Sequence, residues 1–233
     1  MNTALVTGAA RGIGLATTKG FLAAGWRVLA LDKDFARFDA EGSASTLERV
    51  VFDLADTGAI ASLVALLGRV DTLVNNAGVL YCDPYEAIPE AHKREILAVN
   101  IEAPAELIAA LAPQMIARKS GRIVNVASVA AFTGHPDLWY GITKAGILNL
   151  TKSWATQLGR HGVLVNAVAP GPTHTDMYEQ LPQSRKDMVT RTVYSGRAAH
   201  PDEVAASILW LGSASPEYVN GTTLDCNNGS YPR

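Results

Sequence analysis

The stretch Thr7-Gly8-Ala9-Ala10-Arg11-Gly12-Ile13-Gly14 decides the fold of this chain. It follows a short apolar run at residues 4–6 and opens a helical pattern near residues 13–24. Glycines are needed where a backbone turns tightly and lets a phosphate approach, and the free N–H groups of a helix start attract negative charge. A strand, a glycine-rich turn and a helix in this order therefore predict a dinucleotide-binding unit.

Short β-rich runs alternate with longer helical patterns along the chain, without a linker or low-complexity block. This alternation predicts an α/β fold, a doubly wound parallel sheet with helices on both faces, in a single domain over residues 1–233. The segment 34–47 is short and polar, so we expect irregular structure there. The predicted strands cover residues 4–6, 27–31, 49–52, 72–74, 122–126, 164–168 and 222–224, and the helical patterns lie near 13–24, 57–68, 86–118, 140–160 and 202–213.

Asp32 ends the second predicted strand, downstream of the glycine-rich turn. A carboxylate at this place accepts hydrogen bonds from both ribose hydroxyls of NAD and repels the 2′-phosphate of NADP. NAD is therefore the expected cofactor. NADP is possible, because Arg11 or Lys33 could pair with a phosphate if Asp32 turned away. The alternative for Asp32 is a surface aspartate in a turn.

Two further strand ends carry residues suited to a dinucleotide. The third predicted strand is followed by an aspartate that could meet the edge of the adenine base. The fourth is followed by an Asn-Asn-Ala-Gly run, whose small residues let the adenosine half of the cofactor lie close to the backbone. Ligands of parallel sheets bind at the carboxyl ends of the strands, near the switch point of strand order. The expected contacts are Gly8, Arg11, Gly12, Ile13, Gly14, Asp32, Asp53, Leu54, Asn76, Ala77 and Gly78.

Ser128 closes the fifth predicted strand, and Tyr140 and Lys144 follow on a predicted helix. Residues i and i+4 share a helix face, so the phenol and the ammonium point into one cleft. A general acid/base works best near the operating pH, and a nearby cation lowers the pKa of the Tyr140 phenol toward neutrality. The Ser128 hydroxyl can hold a substrate oxygen beside Tyr140. The pattern predicts proton transfer by Tyr140, with a solvated surface pair as the alternative.

These residues together resemble the classical short-chain dehydrogenase/reductase family over essentially the whole chain. The resemblance implies a Rossmann fold with strand order 3-2-1-4-5-6-7, and a homodimer or homotetramer built on the helices near 86–118 and 140–160. It implies a catalytic tetrad of Asn100, Ser128, Tyr140 and Lys144. The cofactor contacts that it adds are Tyr140, Lys144, Pro170, Gly171, Thr173 and Thr175.

Two segments depart from the family pattern. The segment 34–47 is shortened, and the run Asp225-Cys226-Asn227-Asn228-Gly229 stands where a glycine pair is usual. These departures leave the carboxy-terminal interface open.

Pro104 stands four residues after Asn100 and has no N–H to donate to its carbonyl. We therefore expect a free Asn100 carbonyl. In the short-chain dehydrogenase/reductase family, which this sequence resembles, the asparagine that matches Asn100 lies at a helix kink. Its main chain there holds a water molecule that is part of a proton relay. Pro104 is predicted to help fix that kink, and the alternative is a proline merely tolerated at a bend.

Composition excludes several classes of partner. The chain has 20 Lys and Arg against 22 Asp and Glu, a net charge of −2, which is too balanced for a nucleic-acid binder. Cys82 and Cys226 lie far apart without metal-ligand spacing, so neither a disulfide framework nor a metal site is predicted. A leader peptide and a run of about 20 apolar residues are not apparent, so we expect no membrane partner and a cytoplasmic location.

The segment 176–196 mixes apolar and charged residues after the sixth strand and is the expected substrate lid. Apolar neighbours suggest a pocket for a small or medium-sized ketone or secondary alcohol. Four basic residues could steer an acidic substrate or an acyl-carrier protein, although a solvated basic face is the simpler interpretation. The pocket residues are Leu80, Tyr81, His135, Leu138 and Trp139, and the basic residues are Arg185, Lys186, Arg191 and Arg197.

The sequence thus predicts an NAD(P)-dependent oxidoreductase, NAD preferred, that transfers a hydride between the nicotinamide and a ketone or secondary alcohol. One alternative is a 3-oxoacyl-thioester reductase that uses NADPH. A non-catalytic dinucleotide-binding regulator would be expected to lose Ser128, Tyr140 or Lys144, and all three are present. Sugar-nucleotide epimerases share the Tyr-x-x-x-Lys pattern but need a larger substrate domain than 233 residues allow.

Overall fold

A seven-stranded parallel sheet forms the centre of the protein in the computed structural model, which describes residues 1–43 and 45–233. The strand order is β3-β2-β1-β4-β5-β6-β7, which confirms the predicted doubly wound fold. The strands are β1 Thr3–Thr7, β2 Arg27–Asp32, β3 Leu47–Val51, β4 Thr72–Asn75, β5 Gly121–Val126, β6 Val163–Pro170 and β7 Thr223–Cys226.

Helices cover both faces of the sheet, as right-handed crossovers between parallel strands require. The helices are α1 Gly12–Ala23, α2 Ile60–Leu67, α3 Glu90–Leu97, α4 Ala103–Ala117, α5 Leu138–Leu158, α6 Asp176–Glu179, α7 Gln183–Arg191 and α8 Pro201–Leu209. A π-helical turn, Ala98–Glu102, joins α3 to α4, and a second one, Trp210–Ala214, follows α8.

Alternate residues of the strands build the two larger apolar cores, one on each face of the sheet. Leu5 and Leu73 pack on one face with residues of α2, α4 and α5, whereas Val6 and Val74 pack on the other face with residues of α1 and α8. Strands buried on both faces read as continuous apolar runs. All five residues of β1 are buried, which places the glycine-rich turn at the centre of the sheet edge.

The predicted helix at 86–118 is interrupted in the structure. The N–H of Ala103 bonds to the carbonyl of Ala98, the longer repeat that defines the π-helical turn. In the segment 34–47, the described residues before Leu47 form neither helix nor strand, as expected, whereas Leu47 begins β3. Ala44 lies outside the described residues.

The helical stretch Glu90–Ala117 is long and apolar enough to cross a membrane by length and composition, with a mean hydropathy of 1.5 in its most apolar window. The sequence-based expectation overlooked this stretch. Half of that window is buried inside the protein, where Leu107, Leu111 and Met115 pack in the core. Core packing thus accounts for the apolar character of α4.

Candidate active site

A cleft of about 760 Å³ lies at the carboxyl ends of the strands. Its lining comes from the segments that follow β1, β2, β3, β4, β5 and β6, together with the start of α5 and the segment of α6 and α7. Of the predicted catalytic and cofactor residues, all of which the structure describes, only Gly14 and Asn100 do not line it.

The glycine-rich turn has the shape that a pyrophosphate needs. Gly8 and Gly12 adopt φ values of 62° and 53°, and a Cβ on Gly14 would lie 2.0 Å from the Gly8 carbonyl oxygen. Helix α1 begins at Gly12 without a side-chain cap from Arg11, so its first N–H groups are left without that partner beside the cleft. These features fit a phosphate held by backbone donors at a helix start.

Thr7 braces this turn against the segment that follows β4, a role that the sequence prediction missed. The Thr7 hydroxyl accepts the N–H groups of Asn76 and Ala77, each at 3.0 Å, and donates to the Val74 carbonyl. The Asn76 side-chain amide donates to the carbonyls of Thr7 and Gly8, at 2.9 and 3.2 Å. These hydrogen bonds hold the two cofactor segments in a fixed relative position.

Asp32 ends β2 with its carboxylate beside the cleft. The carboxylate accepts the Ala10 N–H at 3.0 Å and the Lys33 N–H at 2.8 Å, which fixes its orientation toward the turn. Arg11 and Lys33 lie nearby, but each has a carboxylate partner at 3.6 Å, Asp176 and Glu95 respectively. The carboxylate keeps lone pairs that suit ribose hydroxyl donors.

Ser128, Tyr140 and Lys144 converge on the opposite wall of the cleft. Ser128 follows β5 and accepts the Ala130 N–H at 3.1 Å, and its hydroxyl is close enough to the Tyr140 phenol to lower the pKa of that phenol. Lys144 is only 5% exposed and donates to the Val126 carbonyl at 2.8 Å. Its Nζ lies 5.6 Å from the centre of the Tyr140 ring.

Burial dominates the protonation of this cluster. It raises the pKa of Tyr140, while the hydrogen bond from Ser128 lowers it, the Asp137 carboxylate raises it and the Arg185 guanidinium lowers it. Burial also lowers the pKa of Lys144 to about 8. We expected Lys144 to lower the pKa of Tyr140, whereas in the protein without cofactor burial of the phenol raises it, and the groups that lower it are Ser128 and Arg185.

Asn100 lies in the π-helical turn and is fully enclosed behind the cleft wall. Its side chain accepts the Val79 N–H at 2.8 Å and donates to the Val79 carbonyl at 3.0 Å and to the Thr143 hydroxyl at 3.1 Å. A Cβ added to Gly78 would lie 3.5 Å from both Asn100 Oδ1 and Lys144 Nζ. Asn100 thus ties the segment after β4 to α5 beside Lys144.

A buried chain of amides and a hydroxyl also joins the sheet to α5, and the sequence prediction missed it. Asn75 donates to Asn125 and Asn125 donates to Thr151, both at 2.9 Å, and Thr151 donates to the Ile147 carbonyl at 2.7 Å. Buried polar groups are costly unless paired, so these bonds fix α5 in one position on the sheet. The sequence signal that could have revealed this chain was the presence of two asparagines, Asn75 and Asn125, inside otherwise apolar strands.

The residues after β6 connect the cofactor half to the predicted lid. Pro170, Gly171, Thr173 and Thr175 all line the cleft, and the Thr175 hydroxyl caps α6 by accepting the Tyr178 N–H. The predicted lid segment contains α6 and α7, which the sequence analysis had not assigned as helices.

The far end of that segment is held by the carboxy-terminal residues. Asn228 accepts the Tyr194 N–H through its carbonyl at 3.0 Å and the Ser195 N–H through its side chain at 2.8 Å. Gly229 has a φ of 74°, and a Cβ there would lie 2.2 Å from the Tyr194 ring. Close packing therefore joins residues 194–195 to residues 228–229.

The expected substrate pocket is corrected in two respects. Leu80 and His135 line the cleft, whereas Tyr81, Leu138 and Trp139 line a separate, much smaller pocket near α3. Among the basic residues assigned to a solvated face, Arg185 lines the cleft. Three others point elsewhere: Lys186 pairs with Glu179, Arg197 pairs with Glu203, and Arg191 is exposed.

Comparison with known proteins agrees with this geometry. The family of short chain dehydrogenases matches residues 2–186. The 3-oxoacyl-[acyl-carrier-protein] reductase FabG of Thermotoga maritima is 35% identical, with 97% of this chain and 96% of that protein covered.

Two solved structures are also similar. A protein described as an NAD(P)-dependent gluconate 5-dehydrogenase from Beutenbergia cavernae, with NADP bound at low occupancy, has a TM-score of 0.91 and 35% identity over 98% of this chain and 96% of that one. A 4-hydroxyisoleucine dehydrogenase complexed with NADH has a TM-score of 0.93 and 26% identity over 99% of both chains.

A parallel sheet of this order, with a glycine-rich turn facing a Ser-Tyr-Lys cluster across one cleft, defines a nicotinamide-dependent oxidoreductase. The chain belongs to the short-chain dehydrogenase/reductase family. It is an enzyme that acts on CH–OH groups with NAD or NADP.

Proposed function

We propose that the protein transfers a hydride between NAD and a small or medium-sized ketone or secondary alcohol. The observation that carries this proposal is the convergence of Ser128, Tyr140 and Lys144 beside the cofactor half of the cleft. When bound, the nicotinamide supplies or accepts the hydride. In the direction of reduction, the Tyr140 hydroxyl donates its proton to the carbonyl oxygen, and in oxidation it takes the proton back.

Ser128 and Lys144 support this proton transfer in different ways. The Ser128 hydroxyl stabilises charge on Tyr140 and the substrate oxygen through hydrogen bonds, and the 3.1 Å bond to Ala130 N–H fixes its position. Lys144 is buried with a pKa of about 8, so it can gain or lose a proton near neutral pH. Asn100 is proposed to complete the catalytic set by holding the segment after β4 and α5 together.

The test of Tyr140 is its replacement by phenylalanine, which keeps the ring and removes the proton. Tyr140→Phe is expected to lower kcat by at least about 100-fold, the usual contribution of a positioned acid/base, while NADH binding changes little. Nicotinamide absorbance measures turnover and fluorescence titration measures binding. Tyr218→Phe is the matched control, because Tyr218 is fully exposed. Near-normal turnover of Tyr140→Phe would refute the assignment.

The preference for NAD is proposed from Asp32. Its carboxylate is oriented by Ala10 and Lys33 N–H groups at the place where ribose hydroxyls are expected, and a 2′-phosphate would bring negative charge against it. Fluorescence titration is expected to give a lower Kd for NADH than for NADPH, with Asp32→Ser reducing or reversing the difference. Tighter binding of NADPH by the wild type contradicts this role of Asp32.

A second candidate is a 3-oxoacyl-thioester reductase that uses NADPH. It is favoured by Lys33 and Arg11, two cations that line the same cleft as Asp32, and by the similarity to a 3-oxoacyl-[acyl-carrier-protein] reductase. Turnover of acetoacetyl-CoA with NADPH, faster than any ketone with NADH, would favour this candidate.

We also propose that residues 1–233 act as a single domain in which residues 176–196 form the substrate lid. Met177, Leu181 and Met188 of that segment line the cleft and would exclude water from the reacting atoms. A homodimer or homotetramer and a cytoplasmic location remain predictions. Light scattering coupled to size exclusion measures the oligomeric state.

A further inference from the structure

Charge is distributed unevenly along the cleft. The carboxylates among its described lining residues, Asp32, Asp53 and Asp176, all belong to the cofactor half, since the first two follow β2 and β3 and the third pairs with Arg11 of the glycine-rich turn. The charged residues that line the Ser128 and Tyr140 side are Lys144 and Arg185. The substrate end is therefore cationic.

Arg185 is a built part of that end. It projects from α7 and is only 18% exposed, with Nη2 donating to Asp137 Oδ2 at 2.5 Å and to His135 Nε2 at 3.2 Å. Asp137 is 5% exposed and does not line the cleft, whereas Arg185 does. The guanidinium thus stands between the buried carboxylate and the cleft, so a ligand meets the cation first.

The guanidinium keeps donors for a ligand. Arginine carries five N–H groups, and among the described contacts only Nη2 bonds to oxygen or nitrogen, while Nη1 lies 3.9 Å from Cys82 Sγ. His135 accepts a hydrogen bond from Arg185, since a guanidinium has no lone pair to offer, and burial lowers the pKa of His135. His135 is therefore neutral and leaves Arg185 as the cation at this wall.

We propose that Arg185 determines substrate specificity by binding the carboxylate of an oxo acid or hydroxy acid whose reacting carbon lies against Ser128 and Tyr140. This inference rests on the proposed function and names the substrate class of the same site. A guanidinium fixed by a buried acid binds carboxylates with good geometry, and a charged hydrogen bond in a partly enclosed cleft discriminates strongly against a neutral group.

A purely structural role makes a different prediction. If Arg185 only fastened α7 to the start of α5, removing either member of the pair would have the same effect on every substrate. If Arg185 binds a carboxylate, Asp137→Asn leaves the cation without its buried counter-ion, so selection for acids persists or increases. Arg185→Gln removes the selection. The two variants therefore separate the roles.

The experiment measures reduction by NADH of 3-oxobutanoate, 4-oxopentanoate and 5-oxohexanoate, each against its methyl ester. The wild type is expected to favour at least one acid over its ester by about tenfold or more in kcat/KM. Arg185→Gln should lose this preference mainly through a higher KM for the acid. The acid-to-ester ratio of kcat/KM is compared, because the lost charge also acts on Tyr140 with either substrate. Arg191→Gln, on the exposed end of the same helix, should keep it.

The double variant Asp137→Asn with Arg185→Gln is the control for folding defects, because it leaves no buried charge unpaired. It should show the same loss of acid preference as Arg185→Gln. The inference is overturned if the wild type reduces each ester as well as its acid or reduces neither form while it binds NADH. It is also overturned if Arg185→Gln keeps the preference or Asp137→Asn loses it. Loss of NADH binding, or full activity of Tyr140→Phe, would instead count against the proposed function.

Discussion

At the scale of single residues, the protonation of Tyr140 depends on groups that the sequence pattern does not bring together. Ser128 and Lys144 were recognisable because they stand at fixed places relative to a strand end and a helix. Asp137 and Arg185 were not, because their contact joins residues 48 positions apart and becomes visible only when α7 lies against the residue that precedes α5. A basic residue in a lid is indistinguishable in sequence from a solvated one.

Asp137→Asn is expected to shift the pH profile of alcohol oxidation to lower pH. The carboxylate raises the pKa of Tyr140, whereas Arg185 lowers it, so removing the negative charge makes the phenolate available at lower pH. The measurement is kcat/KM for oxidation against pH. Asp187→Asn is the control, since Asp187 is exposed on α7 and bonded to Gln183. An unchanged profile, or one shifted upward, would contradict the expectation.

At the scale of elements, the strands and most helices followed from hydrophobic patterns, because a buried parallel strand reads as an apolar run. The π-helical turn was the exception. Pro104 indicated a local irregularity in the helix. The π-helical turn nevertheless begins at Ala98, before the proline, and the extra residue of this turn cannot be inferred from the amphipathic period of the sequence. The turn carries Asn100, so the irregular geometry sets the position of a residue that we propose to belong to the catalytic set.

Pro104→Ala is expected to lower turnover by about tenfold or more with little loss of stability. The new N–H can bond to the Asn100 carbonyl and favour a regular helix, which would move the Asn100 side chain away from Val79 and Thr143. Small displacements near the reacting atoms cost up to about 100-fold. Single-turnover rates and Tm are measured together.

Pro113→Ala is the matched control, because Pro113 lies inside the same helix, beyond the π-helical turn. Its turnover should equal that of the wild type. Equal turnover in Pro104→Ala as well would show that the proline is merely tolerated at this bend.

At the scale of the whole molecule, Asp71 joins three parts of the fold near the amino ends of the strands. It accepts the Thr3 N–H at 2.9 Å, pairs with Arg69 at 2.7 Å and lies 3.9 Å from Arg118 at the end of α4. Burial opposes ionisation of Asp71, but the hydrogen bonds from Arg69 and Thr3 and the charges of Arg69 and Arg118 outweigh it and lower its pKa.

Asp71→Asn is therefore expected to reduce the free energy of unfolding by about 1–2 kcal/mol near neutral pH. A lowered pKa in the folded state contributes stability above the unfolded value of 3.8, and this contribution is lost as pH falls through the folded pKa. The difference between variant and wild type should shrink toward acid pH in urea denaturation. Asp39→Asn, on an exposed pair with Lys19, should show no such difference.

The hydrogen bonds that Asn228 accepts from Tyr194 and Ser195 affect where an affinity tag can be attached for kinetic measurements. An affinity tag joined after Arg233 would load the residues that anchor the far end of residues 176–196, the proposed substrate lid. A tag joined to Met1 would extend from the exposed residue that precedes β1. This is the edge of the sheet opposite the cleft, which lies at the carboxyl ends of the strands. Rates measured with the two attachments should differ, and those from the amino-terminal version will represent the untagged protein.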